Sequence, residues 1–279
     1  ILESAPTYIT PSSYDAGLGA AGAGIALVDE VVAASQLVTA GGDPSLTPSA
    51  FAICRPPGHH AVPKGAMGFC LFGTVAVAAR WAQTRHNLRR VAIIDFDVHH
   101  GNGTEDIFAE DPDVLFLSTH QEGSYPGTGN PEFVGTGCGE GATINCSLPG
   151  LTGDWGMRTV LEKLIAPALQ EFNPDIILVS AGYDAHWRDP LAGLQFTSST
   201  YHMLCRDLKV LANQLCSGRC VFFLEGGYDL EGLGDGVAES FKGLLGDQSG
   251  DEFDASTLIE EPKQKLLDAL QRVQSIHGI

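Results

Sequence analysis

Short apolar runs alternate along this chain with longer segments in which apolar residues recur at helical spacing. The short runs predict strands at residues 51–54, 91–96, 114–118, 143–147, 176–180 and 221–224. The longer segments predict helices at residues 16–35, 74–85, 104–109, 157–172, 198–214 and 236–245. Strands and helices in alternation predict the α/β class, as one three-layer α/β/α arrangement around a mainly parallel sheet.

No internal repeat or long linker divides the sequence, so residues 1–279 are expected to form a single domain. Two stretches within this domain have the composition of loops. Residues 40–49 are rich in Gly, Pro, Ser and Thr, and residues 246–262 are acidic and irregular. The second stretch predicts a surface connection to a terminal helix at residues 263–273.

Charge and cysteine content narrow the classes of function. The chain carries 34 acidic against 16 basic residues, a formal net charge of −18, which repels nucleic acid and anionic membranes. Its seven cysteines are odd in number and form no C-x-x-C pair, which favours reduced thiols in an intracellular compartment. No run is expected to reach the roughly 20 apolar residues of a membrane span, and the N-terminus does not read as a signal peptide.

The densest group of chemically active side chains is D-F-D-V-H-H-G-N-G, beginning at Asp95, directly after a predicted buried strand. Alternation along an extended chain would point Asp97 and His99 to the same side. A carboxylate oxygen with an imidazole nitrogen suits Zn²⁺, Fe²⁺, Mn²⁺ or Co²⁺, and two ligands do not distinguish among them. A strand end whose polar groups merely cap the next turn is the alternative interpretation of this run.

Three further predicted strands also end in polar groups, and carboxyl ends of parallel strands are where ligands bind in α/β sheets. The segments are R-P-P-G-H-H at 55–60, A-G-Y-D-A-H at 181–186 and E-G-G-Y at 225–228. Asp97, His99 and Asp184 would supply three ligands with an open position for water, an arrangement typical of catalytic zinc. Either His59 or His60 could transfer a proton, and Tyr228 could stabilise an oxyanion.

Together these motifs resemble the zinc-dependent histone deacetylase family of the arginase/deacetylase fold, in its class II-like and possibly plant organellar branch. The resemblance spans residues 8–245. It rests on R-P-P-G-H-H, D-F-D-V-H-H-G-N-G-T, S-T-H-Q with Y-P-G-T-G, S-A-G-Y-D-A-H with D-P-L-A-G, and L-E-G-G-Y. It implies a deacetylase that hydrolyses N-acetyl amides with one catalytic Zn²⁺ and one or two structural K⁺ ions.

The resemblance also assigns roles to single positions. The zinc ligands would be Asp97, His99 and Asp184. Of the two adjacent histidines, His60 would be the general base and acid, and His59 its electrostatic partner. Their ring partners would be Asn102 for His60 and Asp95 for His59, while Tyr228 would polarise the substrate carbonyl.

Positions around this centre would shape the substrate site and hold potassium. Gly68, Phe69 and Tyr125 match the walls of the family's narrow tunnel. Leu191 stands where polyamine-selecting relatives place a Glu, which argues against a cationic polyamine. Potassium would be held by groups that match Asp95, Asp97, His99, Ser118 and Thr119, and a second ion by carbonyls near Phe108, Asp111 and Val114.

The chain departs from the family pattern at its start, where the first strand and the rim loop are expected to be missing. Pro6-Thr7 stands in place of the rim Asp that grips the substrate backbone. The expected substrate is therefore either acetyl-lysine in a protein or a small acetylated amine such as N-acetylserotonin. The compartment would be a plastid or mitochondrion, or otherwise the cytoplasm or nucleus.

Two other functions remain as alternatives. A catalytically silent scaffold could use the same fold to bind acylated partners. A binuclear manganese ureohydrolase of the arginase type is the other, but that chemistry needs additional Asp ligands in a D-x-H-x-D pattern. Here His99 is followed by His100 and Gly101.

Overall fold

A single six-stranded parallel sheet forms the centre of the protein, for which a computed structural model describes residues 7–39 and 47–279. The strands lie in the order β1-β6-β5-β2-β3-β4, and each neighbouring pair is parallel. Their bounds are β1 Ala50–Ala52, β2 Val91–Asp95, β3 Val114–Gln121, β4 Thr143–Leu148, β5 Ile176–Ala181 and β6 Cys220–Leu224. The predicted α/β class and parallel sheet are confirmed.

Helices connect the strands and cover both faces of the sheet. They are α1 Ser13–Thr39, α2 Thr74–His86, α3 Asn102–Phe108, α4 Asp154–Val160, α5 Ala166–Phe172, α6 Ser198–Leu215, α7 Leu230–Leu245 and α8 Lys263–His277. A π-helical turn, Leu161–Ile165, joins α4 to α5, so that the predicted helix at 157–172 begins three residues earlier. Short 3₁₀ turns lie at Gly137–Gly139 and Ala255–Thr257.

Burial on both faces explains why the strands read as continuous apolar runs. In β2, Ala92 and Ile94 belong to a core that includes residues of α4, α6, α7 and α8. The alternate residues, Val91 and Ile93, belong to a second core that includes residues of α1, α2 and α3. A strand covered on both sides has no polar face, which is the usual state of a parallel sheet. The three layers follow directly.

The first helix corrects one expectation. Over Ser13–Val38, α1 is long and apolar enough to cross a membrane by length and composition, contrary to the expected lack of such a stretch. Its many Ala, Val, Leu and Ile residues account for the high mean hydropathy. One face of the helix, which includes Val28, Val31 and Val32, packs in the core against the sheet and α2. Core helices of soluble proteins and signal sequences near the N-terminus both pass the same test.

Several element boundaries differ from prediction for local reasons. Helix α7 begins at Leu230, six residues before the predicted start, because the Asp229 side chain accepts a hydrogen bond from the Gly232 N–H (2.7 Å) and caps the helix. The glycines at 232 and 234 had hidden this first turn from a helical pattern. Helix α1 starts at Ser13 and α8 continues to His277, so both exceed their predicted lengths.

The predicted surface connection at 246–262 is held against the body of the protein. The Glu261 carboxylate accepts three backbone N–H bonds, from Gly153 (2.9 Å), Trp155 (3.0 Å) and Gly156 (2.8 Å), at the start of α4. The Gln195 amide pairs with both backbone groups of Ile259, at 2.9 and 3.0 Å. These bonds fix where the segment enters α8.

Candidate active site

Three potential metal donors meet at the carboxyl edge of the sheet. Asp97 follows β2, and Asp184 follows the neighbouring strand β5. One donor atom from each of Asp97, His99 and Asp184 lies within 4.8 Å of the others. His99 Nδ1 is 3.2 Å from Asp97 Oδ1 and 3.1 Å from Asp184 Oδ2. The predicted ligand set therefore converges, and no other such group occurs in the described ranges.

The path of the chain through these ligands is a turn and not the extended strand that the alternation argument assumed. Strand β2 ends at Asp95, and its carboxylate accepts the Asp97 N–H at 3.1 Å. The Asp97 carboxylate in turn accepts the His99 N–H at 2.9 Å. Short acidic side chains bond readily to the backbone two residues on, which makes successive tight turns. The donors converge through these turns.

Two glycines allow the carboxylates to approach the backbone of neighbouring strands. A Cβ atom at Gly182 would lie 2.1 Å from Asp97 Oδ2, and one at Gly226 would lie 2.1 Å from Asp184 Oδ2. The Gly226 N–H also donates to Asp97 Oδ2 at 2.8 Å. Any larger residue at either position would displace the Asp97 or the Asp184 carboxylate.

The adjacent histidines are buried and have different ring partners. His59 Nδ1 lies 3.0 Å from the Asp95 carboxylate, and His60 Nδ1 lies 2.8 Å from the Asn102 side-chain oxygen. The two imidazoles lie 4.0 Å apart between centroids. One histidine therefore faces an anion and the other a neutral amide.

The surroundings of the two histidines shift their pKa values in opposite directions. Burial alone would lower the pKa of His59, but the charges of Asp95, Asp97 and Glu225 raise it well above its ordinary value. Burial and the neighbouring positive charge of His59 hold the pKa of His60 well below its ordinary value. These pKa shifts favour the charged form of His59 and the neutral form of His60.

Glu225 is a functional residue that sequence reasoning left without a role. Its carboxylate is fully buried. It accepts hydrogen bonds from the backbone N–H groups of Gly58 (2.6 Å) and His59 (3.1 Å) and from the Ser180 hydroxyl (3.0 Å). It therefore fastens the histidine loop to β5 and β6. The sequence feature that could have indicated this role is an acidic residue directly after the apolar run of β6.

A cavity of about 270 Å³ opens onto these groups. It is lined by His60, Gly68, Phe69, His99, Tyr125, Leu191 and Tyr228. Every predicted substrate-site residue is among them. Leu191 and Tyr125 are 51% and 38% exposed, which places them toward solvent. The walls are mainly apolar, so the cavity suits a slender uncharged group.

The tyrosine and the aromatic wall are fixed by contacts that the sequence did not reveal. Tyr228 packs edge-on against Phe69, with 5.8 Å between the ring centroids. The Phe69 N–H donates to the buried Thr7 hydroxyl at 3.0 Å. Pro6, predicted to replace a rim acid together with Thr7, lies outside the described residues. Burial and the negative charges of Asp97 and Asp184 raise the pKa of Tyr228, so its phenol stays protonated.

Of the residues predicted to hold potassium, Asp95, Ser118 and Thr119 lie on the adjacent strands β2 and β3, whereas Asp97 and His99 lie in the turn after β2. Asp95 and Ser118 are paired in register, and the Thr119 hydroxyl donates to the Asp95 carbonyl at 3.4 Å. His120 contacts the Ser118 hydroxyl through Nδ1 at 3.0 Å and the Gly129 carbonyl through Nε2 at 3.0 Å.

Two other histidines also serve structural contacts. His100 Nδ1 lies 2.7 Å from the Thr128 hydroxyl, so His100 supports the loop that carries Tyr125. His186, considered for the cavity mouth, is buried and stacks on Tyr201 instead, while Trp187 stacks on Phe253. Neither of these two residues lines the cavity.

The fold and site define a class of α/β enzymes that hold carboxylate and imidazole donors at the carboxyl edge of a parallel sheet. Residues 2–244 match the family model described as the histone deacetylase domain. This chain belongs to that family of deacetylase-type hydrolases.

Similar proteins agree with this assignment. Over 98% of its length the chain is 61% identical to histone deacetylase 14, chloroplastic, of Arabidopsis thaliana, and 58% identical to histone deacetylase 10, chloroplastic, of Oryza sativa subsp. japonica. It spans 64% and 61% of those proteins, less than two thirds of each. The crystal structure of the HDA15 HD domain superposes with a TM-score of 0.80 at 33% identity, covering 98% of this chain and 72% of that one. The expected plant organellar resemblance is confirmed.

Replacing Glu225 tests its part in fixing the histidine loop. Glu225→Ala would leave two buried N–H groups and a hydroxyl without their acceptor, so we expect the free energy of unfolding to fall by at least about 3 kcal/mol. Glu225→Gln can keep an oxygen toward the N–H groups and should cost much less. Denaturant unfolding of both variants measures the difference, and equal stability would contradict the assigned role.

Proposed function

We propose that this chain is a zinc-dependent deacetylase that hydrolyses N-acetyl amides of slender amines. The observation that carries the proposal is one mainly apolar cavity into which a neutral histidine, a protonated tyrosine and an edge of the metal-donor group all face. Amide hydrolysis needs a base for water, a donor for the developing oxyanion and an acid for the leaving amine. These side chains supply all three.

The donor set fits zinc. Asp97, His99 and Asp184 would hold the ion with two carboxylates and one imidazole, leaving a position open toward the cavity. Burial and the charge of Asp97 raise the pKa of Asp184 to about 7, since the two buried carboxylates repel each other without a cation between them. A zinc ion held there would polarise the acetyl carbonyl and lower the pKa of water to about 7.

His60 would move the protons. The Asn102 oxygen can only accept a hydrogen bond, so Nδ1 of His60 carries the hydrogen and Nε2 keeps a free lone pair. Its lowered pKa keeps the ring neutral until it takes a proton from the attacking water. His60 then gives that proton to the departing amine nitrogen. His59 stays charged beside Asp95 and keeps His60 from protonating prematurely.

Tyr228 would stabilise the oxyanion with its phenolic O–H. Because the raised pKa keeps the phenol protonated, it remains a hydrogen-bond donor throughout the neutral range. Such a donor is typically worth about 10² to 10³ in rate.

The proposed substrate is either acetyl-lysine in a protein or a small acetylated amine such as N-acetylserotonin. Leu191 offers no carboxylate to a cationic chain, and the aromatic wall formed by Phe69 and Tyr125 suits an apolar or aromatic amine. Potassium at the Asp95–Ser118 edge is proposed as a structural ion. The chloroplastic names of the two relatives support a plastid location.

The alternatives have less support. A binuclear manganese site would need a further carboxylate two residues after His99 in the D-x-H-x-D pattern, and that position is Gly101. A silent scaffold usually lacks a ligand or the tyrosine, and here both are present. Counting the bound metal ions by mass spectrometry distinguishes the manganese alternative from the proposed zinc enzyme. Two manganese ions per chain would favour the ureohydrolase, and one zinc ion would favour the deacetylase.

Removing the phenolic hydroxyl tests the mechanism. We expect Tyr228→Phe to lower kcat by about 10² to 10³ with unchanged folding and zinc content, because only the oxyanion donor is lost. Tyr14→Phe is the matched control, since Tyr14 lies on α1 and is 62% exposed. Near-normal turnover of a fluorogenic acetamide by Tyr228→Phe would refute the role.

The pH profile tests the Asn102–His60 pair. An Asn102→Asp carboxylate would stabilise the imidazolium and raise the pKa of His60 by about one unit or more. Activity requires neutral His60, so the acid limb of kcat/KM should move to higher pH by the same amount. The native limb should lie below the ordinary histidine pKa of about 6.5. An acid limb that stays in place, with zinc content unchanged, would exclude His60 as the base.

A substrate screen tests the finer assignment. Zinc-loaded protein is assayed against acetyl-lysine peptides, acetylpolyamines and N-acetylserotonin. We expect slender, uncharged acetylated amines to exceed long peptides in kcat/KM, because Thr7 bonds Phe69 and offers no carboxylate to a peptide backbone. A strong preference for a histone peptide would show that this expectation is wrong.

A further inference from the structure

The Asp189 carboxylate joins two walls of the catalytic cavity. Its Oδ1 accepts the Leu191 N–H at 2.9 Å, and its Oδ2 accepts the N–H groups of Tyr228 at 2.7 Å and Asp229 at 3.2 Å. The side chain is buried, with 7% of the residue exposed. Within the described ranges the carboxylate pairs with no Lys, Arg or His, and it accepts these three backbone N–H groups instead.

The segments it joins leave the sheet from neighbouring strands. Leu191 lies on the loop after β5, and Tyr228 lies between β6 and α7. Both side chains line the cavity of about 270 Å³. One carboxylate thus determines how far the exposed Leu191 stands from the tyrosine.

Asp189 is also the outer anchor of the tyrosine segment. On the inner side, the Gly226 N–H donates to Asp97 Oδ2 at 2.8 Å and the Gly226 carbonyl accepts the Tyr183 N–H at 2.9 Å. Between these anchors lies Gly227, with φ +130°, a backbone conformation that residues with side chains rarely adopt. Because it has no side chain, Gly227 makes no packing contact that would fix the backbone here. On the outer side of this glycine, the position of the Tyr228 backbone therefore depends on where the Asp189 carboxylate holds it.

We propose that Asp189 is a positioning residue that places the Tyr228 phenol for oxyanion stabilisation and sets the width of the cavity beside Leu191. This inference rests on the proposed function and deepens it. It assigns to one carboxylate both a rate effect, through Tyr228, and a selectivity effect, through Leu191. Displacement of a reacting group by about 1 Å can lower a rate by about 100-fold.

The chain offers a matched control for general loss of structure. Glu261 also accepts three backbone N–H bonds, but at the start of α4, and it does not line the cavity. Asp189→Asn and Glu261→Gln thus each replace a carboxylate that holds three backbone donors. Only the first should affect catalysis.

The kinetic test is a double-mutant cycle with Tyr228→Phe. We expect Asp189→Asn to lower kcat by about 10- to 100-fold. It should also reduce the ratio of kcat/KM for slender acetamides to kcat/KM for bulky ones. In the Tyr228→Phe background the same change should lower kcat by less than about 2-fold, because the phenol through which it acts is gone. Glu261→Gln should leave kcat unchanged. Equal losses of kcat in both backgrounds, or a normal kcat in Asp189→Asn, would overturn the proposal.

A second readout does not depend on turnover. With 3-fluorotyrosine in place of the six tyrosines, the fluorine resonance lost in Tyr228→Phe identifies that residue. Asp189→Asn should shift this resonance, and Glu261→Gln should not. If wild-type protein with zinc hydrolysed no acetamide, the proposed function would fail, yet the resonance would still test the positioning. An unshifted resonance would overturn it.

If Asp189→Asn does not fold, Asp189→Glu serves instead. It keeps the charge, but its extra methylene moves the anchoring oxygens. A lowered kcat and an altered preference for substrate size are expected, whereas wild-type values for both would refute the positioning role.

Discussion

Hydrogen bonds from backbone N–H groups to buried carboxylates hold the loops of this protein in the places where its chemistry is arranged. Four such acids lie at the carboxyl edge of the sheet with no exposed surface, namely Asp95, Asp97, Asp184 and Glu225. Each accepts at least one backbone N–H. Buried charges are expensive unless they are hydrogen-bonded and neutralised. Loop geometry and metal chemistry therefore depend on the same groups.

The concentration of negative charge also explains the contrast between the paired histidines. His59 lies among carboxylates and becomes a cation, and its charge then suppresses protonation of His60 only 4.0 Å away. Two identical side chains, adjacent in sequence, thus acquire different protonation states from their surroundings. The acids supply the carboxylates of the proposed metal site and are also the source of this asymmetry.

Sequence reasoning reached the sheet and most of the site because both depend on local pattern. Continuous apolar runs identified the strands, and polar residues at their ends identified the edge where Asp97, His99 and Asp184 meet. It failed where contacts are made between distant segments. Nothing beside Thr7 in the sequence indicates that it bonds Phe69, and nothing beside Asp189 indicates that it bonds Tyr228. The turn after Asp95 was also missed, because side-chain bonds to the backbone override strand alternation.

The strand order has a consequence for how such a site can come into existence. Strands β5 and β2 are neighbours in the sheet but about 80 residues apart in sequence, and β1 pairs with β6, the last strand of the chain. Pairings between distant segments are intrinsically slow to form, because the entropy of loop closure must be overcome before the contacts stabilise them. Asp97 and Asp184 can meet only when β2 and β5 are joined, and His59 and Glu225 only when the final strand is in place. The active centre thus forms only in the completed sheet. A partly synthesised chain that lacks β5 or β6 cannot bring these side chains together.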